Sequence, residues 1–569
     1  MSVKIVNKGS RIAILPNSPL HILGLGHDLR VAIGNDKVFA MPGGYLVSLE
    51  SINILARILP PDSNDWDDSL LQRGTLVWDT LKGQKAARQE VDQALAAPYE
   101  VLKDYKEIGR LDPHQVSAVA AMVSPSLKGL ALFDEQGTGK TICAIATFDI
   151  LRQRGILSHL LVIAPKSVLI VWEKEVREFL GGKYSVLRVG GGRTDRLKIL
   201  GERDILLASY EAVTRSSVLL QGLMTTKGRK FMIVVDESYF VKNPGSQRSK
   251  AITTVRQWCE RAYVLCGTPA PNAPVDVVNQ VNVTDIGATF SGVRIPKDDE
   301  QAKEVIKDAL GQSAIYLRRL KEEVLPDIPN KNIKKTIVEL SPIQADLYQR
   351  ELNSLVDDVS QTDEAYFIKH LGQFLARKWS LLQICSNPGA IIPSYSEDPA
   401  KLIALDELIE DMVKKHGQKV VVWSFFTFSL QRIFDRYTGF GAVRIDGSVT
   451  SIEERARAIE RFQHDPAIMV FVGNPAAAGA GITLTASSTA VYESFSNQPA
   501  HYLQSVDRIH RRGQKNEVNS FILISKGTIE EHEFQKLMEK ERRGHSIFGS
   551  MPREPITKEG FLKDLLMSK

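Results

Sequence analysis

The residues with most capacity for chemistry in this 569-residue chain form one run, Asp134-Glu135-Gln136-Gly137-Thr138-Gly139-Lys140-Thr141. Glycines at 137 and 139 let backbone N–H groups curl around a phosphate, and the helical pattern that the run opens adds the positive end of its dipole. In that setting Gln136, Gly137, Thr138 and Gly139 make the cradle. Lys140 reaches the β- and γ-phosphates of ATP, and Thr141 sets its hydroxyl on Mg²⁺. Gly-Lys-Thr in a glycine-containing loop is common by chance, so the flanks decide. The apolar run GLALF (129–133) precedes it and the helical pattern TICAIATFDILRQRG (141–155) follows. One feature is odd: the first position of a general phosphate loop is small, and here it is Asp134.

A phosphate loop needs a carboxylate for the metal and a base for the attacking water. Both stand at the end of the run FMIVV (231–235), as Asp236-Glu237-Ser238. A carboxylate pair closing a buried strand sits on the edge where α/β ligands bind. Asp236 is therefore assigned to the Mg²⁺ shell and Glu237 to water activation, against the plainer reading of a strand-end turn. Gly267-Thr268-Pro269 closes another such run, AYVLC (262–266), and is weak evidence alone. Near the chain's end, Gln504-Ser505-Val506-Asp507-Arg508-Ile509-His510-Arg511-Arg512-Gly513-Gln514 repeats arginine at three-residue spacing. The spacing predicts Arg508 and Arg511 on one helix face, where they stabilise charge on a transferring phosphoryl group. A solvated basic face is the alternative, and the phosphate loop upstream argues against it.

Positioning such residues requires strands that end at one edge. Short β-branched runs at 129–133, 160–164, 204–209, 231–235 and 262–266 alternate with amphipathic stretches. A second series follows at 419–423, 442–445, 468–472, 489–492 and 521–525. Nearly all-apolar runs of this length are strands buried on both faces of a parallel sheet. Two such series predict an α/β chain with two tandem doubly wound lobes. The lobes are drawn at 106–289 and 396–545, with a helical insertion at 290–395. A small accessory domain of unassigned role occupies 1–105, and a tail 546–569.

Composition agrees. Apolar residues make up 43% and charged residues 24%, and length alone implies several domains. No apolar run long enough to span a bilayer is evident, nor a secretory leader, and four cysteines with no CxxC pair argue against a disulfide or zinc framework. A soluble intracellular chain is expected. The net charge of +5 is compatible with a polyanionic partner.

Taken in order, these blocks resemble the Swi/Snf-type family of superfamily-two DNA-dependent ATPases over about residues 108–540. RLDPHQ (110–115) looks like the glutamine motif, which implies Gln115 as the reader of adenine. DEQGTGKT is similar to the family's DEMGLGKT, which also carries aspartate at the position of Asp134. LVIAPKSVLIVWEKEV (161–176), LRRLKEEVLPDIPNK (317–331), QICSNPG (383–389), VVWSFFTFSL (421–430), RIDGSV (444–449), GAGITLTASSTAVYES (479–494), QSVDRIHRRGQ (504–514) and KGTIEEHEF (526–534) match later family blocks. One departure stands out: Tyr239 replaces the histidine that closes the family's Asp-Glu-x-His. DESYFVKN (236–243) and GTPAP (267–271) lie nearer the distant branch that includes annealing helicases.

The resemblance implies two RecA-like lobes sharing one ATP site, with Mg²⁺ as cofactor and double-stranded DNA as a sequence-nonspecific partner of a monomeric motor. It also implies that Lys166, Ser167, Ser424, Gly481 and Thr483 touch the phosphates of one strand, contacts that position without reading sequence. Three readings stay open: a duplex translocase, an annealing or fork-remodelling enzyme, and an ATP-gated DNA-binding subunit of a larger complex.

Overall fold

A computed structural model describes residues 2–9, 11–189, 202–226, 228–271, 273–290, 292–313, 315–449, 451–478, 482–495, 499–543 and 556–566. Among them, three sheets organise the chain. The first lies near the N-terminus and is built from β1 (Val3–Asn7), β2 (Arg11–Pro16), β3 (Val38–Met41), β4 (Gly44–Ser48) and β5 (Asp65–Trp66), in the order β3-β4-β2-β1-β5. Val3, Ile5, Ile12, Ile14 and Val47 point into its core with Leu25 and Leu29 of the helix Ile22–Ile33.

The second sheet carries the phosphate-loop region. Its strands are β6 (Gly129–Leu132), β7 (His159–Ala164), β8 (Val186–Arg188), β9 (Ile205–Ser209), β10 (Phe231–Asp236), β11 (Cys259–Leu265) and β12 (Tyr316–Leu317), ordered β12-β6-β11-β10-β7-β9-β8. Every paired neighbour runs parallel. Burial explains the composition, since every residue of β9 and β10 is buried. Strands covered on both faces must be apolar throughout, and β-branched side chains suit the pleat.

The third sheet is β13 (Lys331–Val338), β14 (Val420–Trp423), β15 (Ala442–Ile445), β16 (Val470–Gly473), β17 (Thr489–Tyr492) and β18 (Val518–Ser525), ordered β13-β18-β17-β14-β16-β15 and parallel throughout. Alternation splits β14 between two cores. Val420 and Val422 face Leu402, Leu405, Leu430 and Ile433, whereas Val421 and Trp423 face Phe462, Tyr502, Val506 and Leu537. Helices therefore cover both faces, and the chain is the expected α/β type.

The chain divides into two compact units, residues 1–135 with 139–319, and residues 136–138 with 320–569. The N-terminal sheet belongs to the first. The long helix Asp68–Ala96 that follows it packs on the helix Pro113–Met122, and Glu90 accepts hydrogen bonds from the backbone N–H and hydroxyl of Ser126.

One expectation needs correction. The stretch 290–395 is not wholly helical: β12 extends the second sheet beside β6, and β13 closes the edge of the third beside β18. Solvent on one side explains why β13 escapes the pattern, since its lysines are those of an exposed edge strand. The segment drawn as the tail includes a helix. The helix Lys558–Leu566 buries Phe561 and Leu565, one turn apart, against Leu352, Leu355, Phe374 and Leu381. No helix among the described residues is long and apolar enough to cross a membrane.

Candidate active site

Register places the chemistry of the first unit. Leu132 of β6 pairs with Leu265 of β11, which pairs with Asp236 of β10. Adjacent strands lie ~4.8 Å apart, so the ends of these three strands fall within ~10 Å of one another on one carboxyl edge. From them emerge the glycine loop, Gly267-Thr268-Pro269 and Asp236-Glu237.

The loop has the backbone its glycines permit. Gly137 and Gly139 take φ of +84° and +83°, left-handed values that a side chain disfavours, and Gly139 is the cap from which the helix Lys140–Gln153 starts. Lys140 Nζ donates to the carbonyls of Asp134 (2.8 Å) and Glu135 (3.0 Å), which folds the ammonium back over the loop. Gln136 and Thr138 are buried and Thr141 half-buried at the first turn. A curled glycine backbone, a helix N-terminus and a lysine at its first residue are the parts a polyphosphate needs. The hydroxyl of Thr141 and the carboxylate of Asp236 are hard oxygen donors of the type Mg²⁺ takes.

Gln115 caps the helix Pro113–Met122. Its side-chain oxygen accepts from the backbone N–H of Asp112 at 3.0 Å, and its amide nitrogen lies where a Cβ on Gly139 would sit, 2.2 Å away. The glutamine is thus held against the phosphate loop, and its oxygen already has a donor.

Glu237 has φ +52° and ψ +51°, left-handed backbone at a residue with a full side chain. Such strain costs ~1–3 kcal/mol and persists only where the surroundings enforce it. The Tyr210 hydroxyl is one group that holds this turn: it donates to the carbonyl of Asp236 (2.7 Å) and also reaches that of Glu237 (3.2 Å). Burial, with Asp236 and Glu237 nearby, holds the phenol far above its ordinary pKa, so it stays a donor. Asp236 is fixed at both oxygens: Oδ2 accepts from Trp172 Nε1 at 2.8 Å and Oδ1 from the backbone N–H of Glu237 at 2.9 Å. Ser238 donates to Gln280 Oε1 (2.7 Å), and Gln280 Nε2 donates to the Pro269 carbonyl (2.5 Å). That chain joins the carboxylate segment to Gly-Thr-Pro. Tyr239, in the histidine's place, stacks on Phe240 with ring centroids 4.6 Å apart. Burial pushes the thiols of Cys143 and Cys266 up to about 12, so neither supplies a thiolate here.

In the second unit Arg508 and Arg511 do not share a helix face. The helix Pro499–Val506 ends before them, and the chain tightens through Arg508 N–H to Ser505 O (3.2 Å) and Ile509 N–H to Val506 O (3.1 Å). The turn still brings them together. Arg508 Nη1 (3.4 Å) and Arg511 Nη1 (3.2 Å) both reach the carbonyl of Ile482, and Arg511 also donates to Thr483 Oγ1 at 2.8 Å. Arg508 is buried and Arg511 half-buried.

Of the five residues expected at a DNA strand, Lys166 is exposed and Ser167 half-buried at the start of the helix Lys166–Leu180. Thr483 serves Arg511. Ser424 is corrected: it is fully buried, its hydroxyl donates to Glu493 Oε2 (2.8 Å) and its N–H to Gly473 O (3.0 Å), so no group remains for a phosphate. Gly481 lies outside the described residues.

Sequence reasoning missed Trp172, Tyr210, Gln280, Arg318 and Arg319. Tyr210 carried a usable signal, because it follows β9 directly on the edge that holds the site. Trp172 and the two arginines lie inside blocks that resemble the family's, but their partners are 51 or more residues away and leave no local signal.

Two family models match this chain: the SNF2-related domain over residues 114–390 and the helicase conserved C-terminal domain over residues 400–513. The chain is 28% identical over 424 residues to the DNA annealing helicase and endonuclease ZRANB3 of Mus musculus, an alignment covering 70% of this chain and 37% of that protein. It is 28% identical over 467 residues to the ISWI chromatin-remodeling complex ATPase ISW1 of Saccharomyces cerevisiae, covering 76% and 40%. This chain thus spans about two fifths of the length of these relatives. A solved structure, the Sulfolobus solfataricus SWI2/SNF2 ATPase core in complex with dsDNA, is 27% identical with a TM-score of 0.36, covering 77% of this chain and 93% of that one. With both models matched in order, and the glycine loop and carboxylate pair on one sheet edge at the ends of β6 and β10, either side of β11, the chain belongs to the Swi/Snf-type family of superfamily-two ATPases.

Proposed function

We propose that the protein is a DNA-dependent ATPase that moves along double-stranded DNA and remodels DNA or protein–DNA complexes without separating the strands. The observation that carries this is the common edge of β6, β11 and β10, which gathers Lys140, Gly267 and the pair Asp236-Glu237. On this reading Gln136 to Thr141 bind the phosphates, with Gln115 beside them. Asp236 and Thr141 would hold Mg²⁺, which would supply charge neutralisation for the transferring phosphoryl group. Glu237 accepts the proton of the attacking water, and its strained backbone, held by Tyr210, fixes where that carboxylate stands. Arg508 and Arg511 stabilise transition-state charge, their guanidinia aligned by the Ile482 carbonyl. Lys166 and Ser167 engage the DNA backbone from the start of their helix.

A second reading, annealing or remodelling of forked DNA, is favoured by the likeness to ZRANB3 and by DESYFVKN and GTPAP. One comparison separates them: the ATPase rate with linear duplex, single-stranded and forked DNA side by side. The translocase reading requires linear duplex to stimulate at least as well as the fork. A strong preference for the fork supports the second reading, and no stimulation by any DNA removes both.

A further inference from the structure

The chain passes from the first unit to the second between Arg319 and Leu320, and charged side chains anchor it on either side. In the first unit Arg318 Nη1 donates to the carbonyls of Phe133 (2.6 Å) and Gly267 (2.9 Å). Arg319 Nε lies 3.1 Å from each oxygen of Asp134, its Nη2 donates to Oδ2, and its Nη1 reaches the carbonyl of His114 at 2.6 Å. Two consecutive arginines thus grip the helix of Gln115, the entry to the phosphate loop, and Gly-Thr-Pro. Asp134 is 1% exposed. A small residue at its position would leave a guanidinium without its carboxylate, which accounts for the departure at the head of the loop.

In the second unit Lys321, 2% exposed, donates through Nζ to Asp507 Oδ1 and to the carbonyl of His510 at 3.0 Å. Asp507 precedes Arg508, and His510 precedes Arg511. The stem of Lys321 also runs beside Gly137, in the short segment 136–138 that belongs to this second unit: a Cβ there would stand 3.3 Å from Lys321 Cε. A single residue, Leu320, separates the two anchors. Two residues of chain span at most ~7 Å, and a buried pair resists detachment because breaking it strands a charge.

We propose that residues 318–321 form a tie that transmits movement between the phosphate loop and the arginine segment, with Arg319 and Lys321 as positioning residues. This rests on the motor reading above. The tie does no chemistry; it holds two reacting elements at a fixed length of chain, so a shift in one is delivered to the other.

The test uses the full chain and three readings: affinity for a fluorescent ATP analogue, basal ATPase rate, and the factor by which linear duplex raises that rate. In Lys321→Met the analogue binds within about threefold of the parent, while duplex stimulation falls at least tenfold. The exchanged pair Lys321→Glu with Asp507→Lys recovers at least a third of that loss. Asp507→Asn, which breaks the pair from its other end at constant volume, shows the same loss of stimulation, and it stands in for Lys321→Met should that variant fold poorly. Parental stimulation in Asp507→Asn, or an exchanged pair no better than the single variants, overturns the tie. A parent chain that hydrolyses no ATP with any DNA refutes the motor reading itself, whereas an active parent with indifferent variants refutes the tie alone.

Discussion

The indole Nε1 of Trp172 donates to Oδ2 of Asp236 at 2.8 Å, from a side chain with no solvent exposure. This bond ties the helix that follows β7 to the end of β10 and orients the carboxylate. Trp172→Phe keeps an aromatic ring there but removes the donor. The expected result is a fall in kcat of about tenfold, the effect of ~1.4 kcal/mol, with ATP affinity little changed. A parental kcat at saturating Mg²⁺ would show that Asp236 needs no such support.

Lys140 and Glu237 divide binding from turnover. Lys140→Ala is expected to weaken nucleotide binding, since its ammonium lies over the loop. Glu237→Gln removes water activation but leaves Asp236, so it should bind ATP and lose turnover by two orders of magnitude or more. Equilibrium binding and steady-state ATPase on both proteins check this, and full activity in Glu237→Gln contradicts the assignment of the base.

Backbone strain at Glu237 makes a prediction about stability with an unusual sign. Alanine normally stabilises relative to glycine, but at φ +52° the Cβ is the liability. Glu237→Gly should therefore be more stable than Glu237→Ala by ~1 kcal/mol, measured by urea unfolding. Both should be inactive. An alanine variant as stable as the glycine variant would mean the left-handed backbone is not held in solution.

Legibility tracked burial. The ten apolar runs read as strands became β6, β7, β9, β10, β11 and β14 to β18, because a strand covered on both faces leaves a period-free apolar signature. Most short or edge strands left none, the edge strand β15 excepted: β8 has three residues and β12 two, and β13 mixes lysine with isoleucine because one side meets solvent. The geometry of the candidate site was legible where glycines have their own backbone requirement, as at Gly137 and Gly139, and where a strand ends in a carboxylate, as at Asp236. Its supports were not, because Trp172, Tyr210 and Arg319 act through partners 64, 26 and 185 residues away. Such pairings are set by sheet order, which no local window contains. Arg508 and Arg511 failed differently: three-residue spacing fits a helix and a turn equally, and the turn won once the helix ended at Val506.

Arg511 should act on phosphate chemistry and leave DNA grip largely intact. Arg511→Ala is expected to lower the duplex-stimulated ATPase rate by ~10³-fold or more, as removal of an arginine finger does, while DNA affinity stays within about tenfold. Fluorescence anisotropy with a labelled duplex, run beside the ATPase assay, separates these effects. Loss of DNA binding with unchanged turnover per bound complex would make the segment a DNA-binding face.

ATP-driven travel on an intact duplex is tested most directly by displacement of a third strand from a DNA triplex. Travel along a groove strips the third strand without opening the duplex beneath. The protein is expected to release that strand only with hydrolysable ATP and to leave a plain tailed duplex paired. Release should fall steeply between low and moderate salt, because binding rests on backbone phosphates. Efficient unwinding of the tailed duplex, with single strands as the stronger ATPase activator and no triplex displacement, would contradict the account and identify a conventional strand-separating helicase.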